Sequence, residues 1–431
     1  MHWTKVSILC FLGALFLVAN NATAQDNSPY SRYGLGDLNN NQNIVNRGMG
    51  GVSQAYGDPQ SVNYINPASY SNLVLTTLDI GVEGGSRSIR DKQASFNSGF
   101  GTLSYLQLGI PLKKKWGMNI GLRPVTRVSY NIQQPVQHTF FDTTKLPVSD
   151  IFEGSGGLYQ VYLGTGVGIG NFSIGVNAGY LFGSIENNSR VIYPDNTIFA
   201  SRHMSRISYS SFFYKVGVQY KAKLNKEMDL SFGATGSLKQ SMGARQESLT
   251  ETLLFNGSTN DYTNQDTVKY AKGENGKVIY PAEFGGGILL RKLDKWSLGV
   301  DFNTTQWGND FQTYGRKDSV QNSWKLAIGG QFVPNINALS GYWNRVAYRL
   351  GAYYGLDYVK LYGQNMPALG FTLGAGLPVR RMPYSNQYSM INVAFEVAHR
   401  GNTNTVLQEN VYRVSLGFTL SDRWFIKRKY D

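Results

Sequence analysis

The chain has 431 residues, a formal net charge of +13, 42% hydrophobic residues, 13% aromatics, 49 glycines and 28 tyrosines. That composition is too polar for a bundle of membrane helices, and outside the N-terminus no stretch approaches the roughly 18 continuous apolar residues that a spanning helix needs. The single cysteine, Cys10, excludes a disulfide framework.

At the N-terminus Lys5 precedes an apolar run from Val6 to Ala19, and Ala22-Thr23-Ala24 before Gln25 fits the small-x-small cleavage rule, so residues 1–24 read as a secretory signal peptide. Cys10 lies inside the run and would leave with it. Residues 25–72 follow, rich in Asn, Gly, Ser and Tyr and without strand alternation. Arg47-Gly48-Met49-Gly50-Gly51-Val52 and Asn66-Pro67-Ala68-Ser69 are tight backbone devices of the kind that ordered turns require. We read 25–72 as a hatch folded into a barrel mouth.

From residue 73 to 431 the chain is a train of dyads. Phe172, Ile174, Val176, Ala178, Tyr180 and Phe182 alternate with Ser173, Gly175, Asn177 and Gly179, and Trp296, Leu298, Val300 and Phe302 alternate with Ser297, Gly299, Asp301 and Asn303. Such alternation puts one face in lipid and the other in a lumen. Strands are expected near 74–84, 101–111, 117–128, 157–169, 172–183, 206–220, 228–240, 278–290, 296–303, 323–332, 346–355, 367–377, 389–399 and 411–420. The fold class is therefore all-β, a fourteen-stranded antiparallel transmembrane barrel with an N-terminal hatch. The joints near Lys113, Asn171, Asn225 and Leu293 are short, whereas 129–156, 184–205, 241–277 and 304–322 are long; bacterial barrels keep short turns in the periplasm and long loops outside. Signal and barrel together indicate the outer membrane of a Gram-negative cell.

The Arg-Gly-Met-Gly-Gly run, the stretch from Ala55 to Asp58, and Asn66-Pro67-Ala68 ahead of fourteen strands resemble the long-chain fatty-acid outer-membrane channel family (FadL/TodX-type). The closing Ser421–Asp431 resembles the endings of Bacteroidota members, departing from a terminal aromatic by one residue and a basic cluster. The resemblance implies a hatch-closed lumen using Arg47, Gly48, Gly50, Gly51, Asp58, Asn66 and Pro67, passive uptake of a hydrophobic or amphipathic small molecule, and lateral exit where the third strand is kinked. Pro124 interrupts that strand here, and a strand proline lacks a ladder donor.

Other chemistries are poorly supplied. Gly-x-Gly strings such as Gly374 to Gly376 lie within alternation and open no helix, against a phosphate loop. His138, His203 and His399 offer neither a nucleophile motif nor a metal-ligand set, which leaves a rim-located hydrolase as a third reading and no cofactor. The inner face carries both signs of charge, with Asp79, Glu83, Arg123, Lys215, Asp229, Glu283, Asp301, Lys325, Arg349, Glu396 and Arg413. An ion-selective pore would concentrate one sign at a constriction, so these residues read either as a paired network packing a filled lumen or as a polar track for a substrate head group. Lys113 to Lys115, Lys221 to Glu227, Arg291 to Lys295, Arg345, Arg380, Arg381 and the tail with Lys427, Arg428 and Lys429 give the periplasmic side a cationic excess, suited to outer-membrane lipid or to a periplasmic or outer-membrane protein partner. Nucleic acid is excluded by compartment. The alternative to uptake is a non-conducting accessory or scaffold barrel of a secretion or assembly machine.

Overall fold

A computed structural model describes residues 26–91, 94–139, 145–195, 198–379 and 388–422. The signal segment, Arg380, Arg381 and the basic C-terminal tail lie outside the described residues. Fourteen antiparallel strands close into one barrel: β1 (Thr76–Arg90), β2 (Ser95–Lys113), β3 (Trp116–Thr139), β4 (Lys145–Ile169), β5 (Phe172–Ile192), β6 (Ala200–Lys223), β7 (Met228–Ser237, continued as Gln240–Asn256), β8 (Asp261–Tyr280, continued as Glu283–Lys292), β9 (Trp296–Thr305), β10 (Ser323–Phe332), β11 (Ala347–Leu361), β12 (Gln364–Pro378), β13 (Tyr388–Arg400) and β14 (Gln408–Asp422). Closure is made by β14 on β1, paired from Gln408 opposite Arg90 to Asp422 opposite Thr76.

The dyads set the wall's two faces. On β9, Leu298, Val300 and Phe302 are 51%, 42% and 48% exposed to the outside, while Ser297 and Asp301 on the lumen side are 7% and 0% exposed. The short joints, Lys114-Lys115 and Gly170-Asn171 among them, lie on the rim that also carries both ends of the barrel, the periplasmic rim by the sequence reading.

The long external loops are mostly strand. β3 and β4 run for 24 and 25 residues, where about 9–11 suffice to cross a bilayer, so they rise far above the membrane; β9 and β10 stop after 10 each. The stretch expected as loop 241–277 is a hairpin that continues β7 and β8 beyond matched breaks at Leu238-Lys239 and Pro281-Ala282. Its second strand, Asp261–Tyr280, is exposed on both faces over most of its length, which is why no alternation marks it. Of the expected external loops, 304–322 retains a true loop, containing one helical turn (Trp307–Asp310).

Candidate functional site in the barrel lumen

The lumen is occupied by the chain's own N-terminal segment. Residues 43–57 and 62–71 are buried without interruption. Two local devices shape them. Asn43 caps the single turn Ile44–Arg47 by accepting from Asn46 N at 2.9 Å, and Asn66 caps the 3-10 helix Pro67–Asn72 by accepting from Ala68 N at 3.1 Å, with Pro67 in the first turn where its missing N–H costs nothing. Gly50 and Gly51 take φ of +68° and +97°, a region that side chains disfavour.

The wall meets this segment through glycine. A Cβ built on Gly117 of β3 would lie 2.2 Å from Tyr70 O, on Gly175 of β5 2.5 Å from Pro67 O, and on Gly233 of β7 1.9 Å from Gln54 O. On Gly329 of β10 it would lie 2.2 Å from Met49 O, and on Gly351 of β11 2.1 Å from Gly50 N. Counting Gly81, Gly109, Gly166, Gly217, Gly285, Gly299, Gly374 and Gly417, thirteen of the fourteen strands set a glycine against the segment, which passes round the inside of the wall. Glycine is what lets two backbones approach this closely.

Lumen charges clamp the same segment. Arg47 pairs with Glu83 of β1, with both side chains almost wholly buried, and also donates to Ser104 Oγ at 3.2 Å and to Asn40 O at 2.9 Å. Asp301 accepts from Ser53 N at 2.6 Å and Gln54 N at 2.7 Å. Arg123 donates to Asn41 O at 3.1 Å and lies 4.2 Å over the Tyr64 ring. Thr372 of β12 accepts from Gly50 N at 2.8 Å and donates to Gly48 O at 3.2 Å. Asp58 accepts from Gln60 N at 2.8 Å near the periplasmic end, and Asn66 Nδ2 donates to Val218 O at 3.0 Å. Others of the expected set brace the wall: Lys215 with Glu283 at 2.7 Å, Glu396 with Arg413 at 2.9 Å, Arg349 with Gln331 and Asn392 at 2.8 and 2.9 Å, Asp79 accepting from Gln107 Nε2 at 3.1 Å, and Lys325 3.8 Å over the Tyr353 ring, while Asp229 stands opposite Lys223 and Arg291 in the strand register. Three ion pairs, Arg47–Glu83, Lys215–Glu283 and Glu396–Arg413, are therefore matched within the protein, and Asp301, Arg123 and Arg349 are held by neutral groups.

The segment is not confined to the periplasmic half. Residues 26–39 climb along β3: Leu38 pairs with Thr126, Asn39 N donates to Val125 O at 3.0 Å, and Ser28 N donates to Ser129 O at 2.7 Å. They can do so because the ladder between β2 and β3 ends at Leu106 opposite Leu122. Just beyond that point Pro124 stands beside a one-residue bulge at Val125 against β4.

Sequence reading missed what fills the upper lumen. Trp307 and Phe311 from the β9–β10 loop, Tyr358 of β11, and Tyr30 and Leu35 from the segment form the main apolar cluster with wall residues such as Leu158. The Trp307 and Tyr358 rings lie 4.6 Å apart, and Tyr358 OH donates to Tyr33 O at 3.0 Å. Beside this cluster Arg87 and Arg400 gather Asp37, Glu409 and Asp357. Burial opposes ionisation of Asp37, but Arg87 and Arg400 outweigh it and hold its carboxyl below the usual carboxylate range. These groups are scattered singly over the chain, and only barrel closure collects them.

Cavities around this core have mixed linings, among them one of about 650 Å³ between Arg32, Val128, Ile185, Ile207, Tyr209 and Glu274. One of about 500 Å³ is lined by Asp26, Asn27, Ser129, Gln133, Glu153 and Asn188. Another, about 50 Å³, lies between Tyr64, Leu181, Lys215 and Tyr280. At the rim, His203 bonds Thr250 Oγ1 at 2.9 Å and His399 bonds Asn410 Oδ1 at 2.7 Å; the side chain of His138 lies outside the described residues. Among the described residues no group of three or more His, Cys, Asp or Glu could hold a metal ion.

Solved structures share the architecture. The toluene transporter TodX of Pseudomonas putida superposes with a TM-score of 0.57 at 14% identity, over 90% of this chain and 100% of that one. A Pseudomonas aeruginosa FadL homologue gives 0.54 at 14%, over 90% and 98%, and the Ralstonia pickettii toluene transporter TbuX gives 0.54 at 12%, over 89% and 98%. At these identities the likeness establishes the fold, a closed fourteen-stranded outer-membrane barrel. No curated protein matches the chain. A family model described as BamG matches residues 5–431, and with that span the chain belongs to the BamG family.

Proposed function

We propose that this protein is a closed outer-membrane barrel acting as an accessory or scaffold subunit of a secretion or assembly machine, and that its lumen is a structural core. The ring of glycines carries the reading, because wall glycines meet the segment's backbone on seven strands and its side chains on six more, so the segment cannot slide or swing aside without giving up contacts on almost every strand. Among the described residues the apolar cluster above it is packed, and the larger clefts around it, of about 350 to 650 Å³, carry charged and amide side chains such as Arg32, Glu153, Asp318 and Arg413 beside their apolar ones, unlike the predominantly apolar lining that binding sites for apolar molecules favour. On this reading residues 25–72 are a permanent plug.

A second reading is passive uptake of a hydrophobic or amphipathic small molecule, long-chain fatty-acid-like, with 25–72 as a hatch and exit sideways at β3. It is favoured by the bulge beside Pro124 and by the ladder between β2 and β3 that stops at Leu122. The neighbours' names, toluene transporter and FadL homologue, point the same way. Uptake of labelled fatty acids and of aromatic hydrocarbons by cells with and without the gene separates the two. The scaffold reading expects equal rates for every ligand; a gene-dependent increase that disappears when the segment is tethered to β3 by a disulfide between Leu38→Cys and Thr126→Cys, which are paired in register, would establish uptake.

A further inference from the structure

One cavity belongs neither to the plug's seating nor to the gap at β3. It opens at the periplasmic rim, has a volume of about 250 Å³, and is lined by Lys115, Lys221, Lys223 and Arg291 together with hydroxyl and amide groups of Ser71, Asn72, Ser173 and Ser231. Four cations from three different places in the chain converge there. Lys115 comes from the β2–β3 turn, where it takes φ of +62° and its ammonium donates to Gly170 O at 2.5 Å. Lys221 and Lys223 are at the end of β6, on the lumen side by parity with the buried Lys215 and Gln219. Arg291, from β8, is held from the plug side, with Nη2 donating to Gly57 O at 2.8 Å and the guanidinium 5.6 Å over the Tyr56 ring.

Among the described residues none of these four is in an ion pair, although Asp58 and Asp229 lie near enough to act on Lys221. The count is then four positive charges lining one cleft against two negative ones near it. An excess of positive charge, with a fixed guanidinium and flexible ammonium groups approaching from different sides, matches a tetrahedral phosphate that accepts in several directions, a dianion as a monoester and a monoanion as a lipid phosphodiester. At about 30 Å³ of liquid volume per water, the cleft holds such a group with its ester stub and a few waters.

We infer that the periplasmic mouth between the plug and strands β4 to β8 is a binding site for a phosphate group, presented either by a soluble phosphate ester or by a phospholipid head group. The site does not depend on whether the lumen conducts. Lys221 and Lys223 supply charge, Arg291 supplies two-pronged donation, and the serine and asparagine side chains complete the shell.

Calorimetric titration of the full-length mature protein in zwitterionic detergent, at constant ionic strength, uses inorganic phosphate, glycerol 3-phosphate and chloride as probes. Saturable binding of the phosphates and none of chloride is expected, weakened at least about tenfold in K221Q/K223Q, whose side chains sit at the open rim and leave the barrel intact as judged by heat-modifiable gel mobility. R291Q should weaken it as well. Native mass spectrometry from nanodiscs of equal phosphatidylglycerol and phosphatidylcholine identifies the source: selective retention of phosphatidylglycerol that K221Q/K223Q abolishes assigns a lipid head group, and its absence beside binding of glycerol 3-phosphate assigns a soluble ester. Phosphate and chloride behaving alike, or wild type and K221Q/K223Q binding both phosphate and phosphatidylglycerol equally, overturns the site.

Discussion

Gly351 illustrates how much of the assembly hangs on the absence of a side chain. A Cβ there would lie 2.1 Å from Gly50 N and 2.2 Å from Met49 C, both backbone atoms with nowhere to go. Gly351→Val should unseat the plug and destabilise the folded protein by at least the 1–3 kcal/mol typical of overpacking, about the same as at other crowded sites. Gly101→Val is the control, since nothing lies within 4 Å of a Cβ at that position. Urea unfolding in micelles and protease cleavage within 26–75 should report a loss for the first and little change for the second. The Arg47–Glu83 pair is a second residue-scale case. Each side chain is buried, so removing one partner leaves an uncompensated charge, and Arg47→Met or Glu83→Gln alone should cost about 3–5 kcal/mol, whereas Arg47→Met with Glu83→Met should recover much of that loss. Additive losses in the double variant would show that the two side chains act independently.

At the scale of elements, the wall was largely legible and its extensions were not. The strand expected at 323–332 is β10, Ser323–Phe332, because lipid on one side and lumen on the other impose a strict period of two. Above the membrane both faces of Asp261–Tyr280 meet water, the constraint vanishes, and the sequence loses its period although the strand persists. The plug's turns could be read from Gly50, Gly51 and Asn66, but its anchors could not: Asp301 acts through the backbone N–H groups of Ser53 and Gln54, some 250 residues earlier, which no local pattern records. The upper anchor of the segment is electrostatic and therefore sensitive to acid. Asp37 titrates below its unfolded value because of Arg87 and Arg400, so its contribution is fully present above about pH 4 and is lost as pH falls below that value. Protease protection of residues 26–40 should be weaker in Asp37→Asn than in wild type at pH 7, and the difference should shrink below pH 4. A difference independent of pH would exclude the carboxylate as the cause.

For the molecule as a whole, two layers fill the lumen, the glycine-seated segment at the level of Met49 and Gln54 and an apolar cluster around Trp307 and Tyr358, and on the scaffold reading they act as two stacked seals. β3 and β4, with 24 and 25 residues, raise one side of the wall far above the other, giving a tall external surface. On the proposed scaffold function that surface is where other components would be held. The most direct measurement of this closure is ionic conductance across planar bilayers containing the purified protein, compared with a variant lacking residues 26–73 that still shows heat-modifiable mobility. Wild type should show no unitary conductance over the voltages a bilayer tolerates, and stable open channels should appear once the plug is removed. Regular openings by the intact protein would contradict this closure.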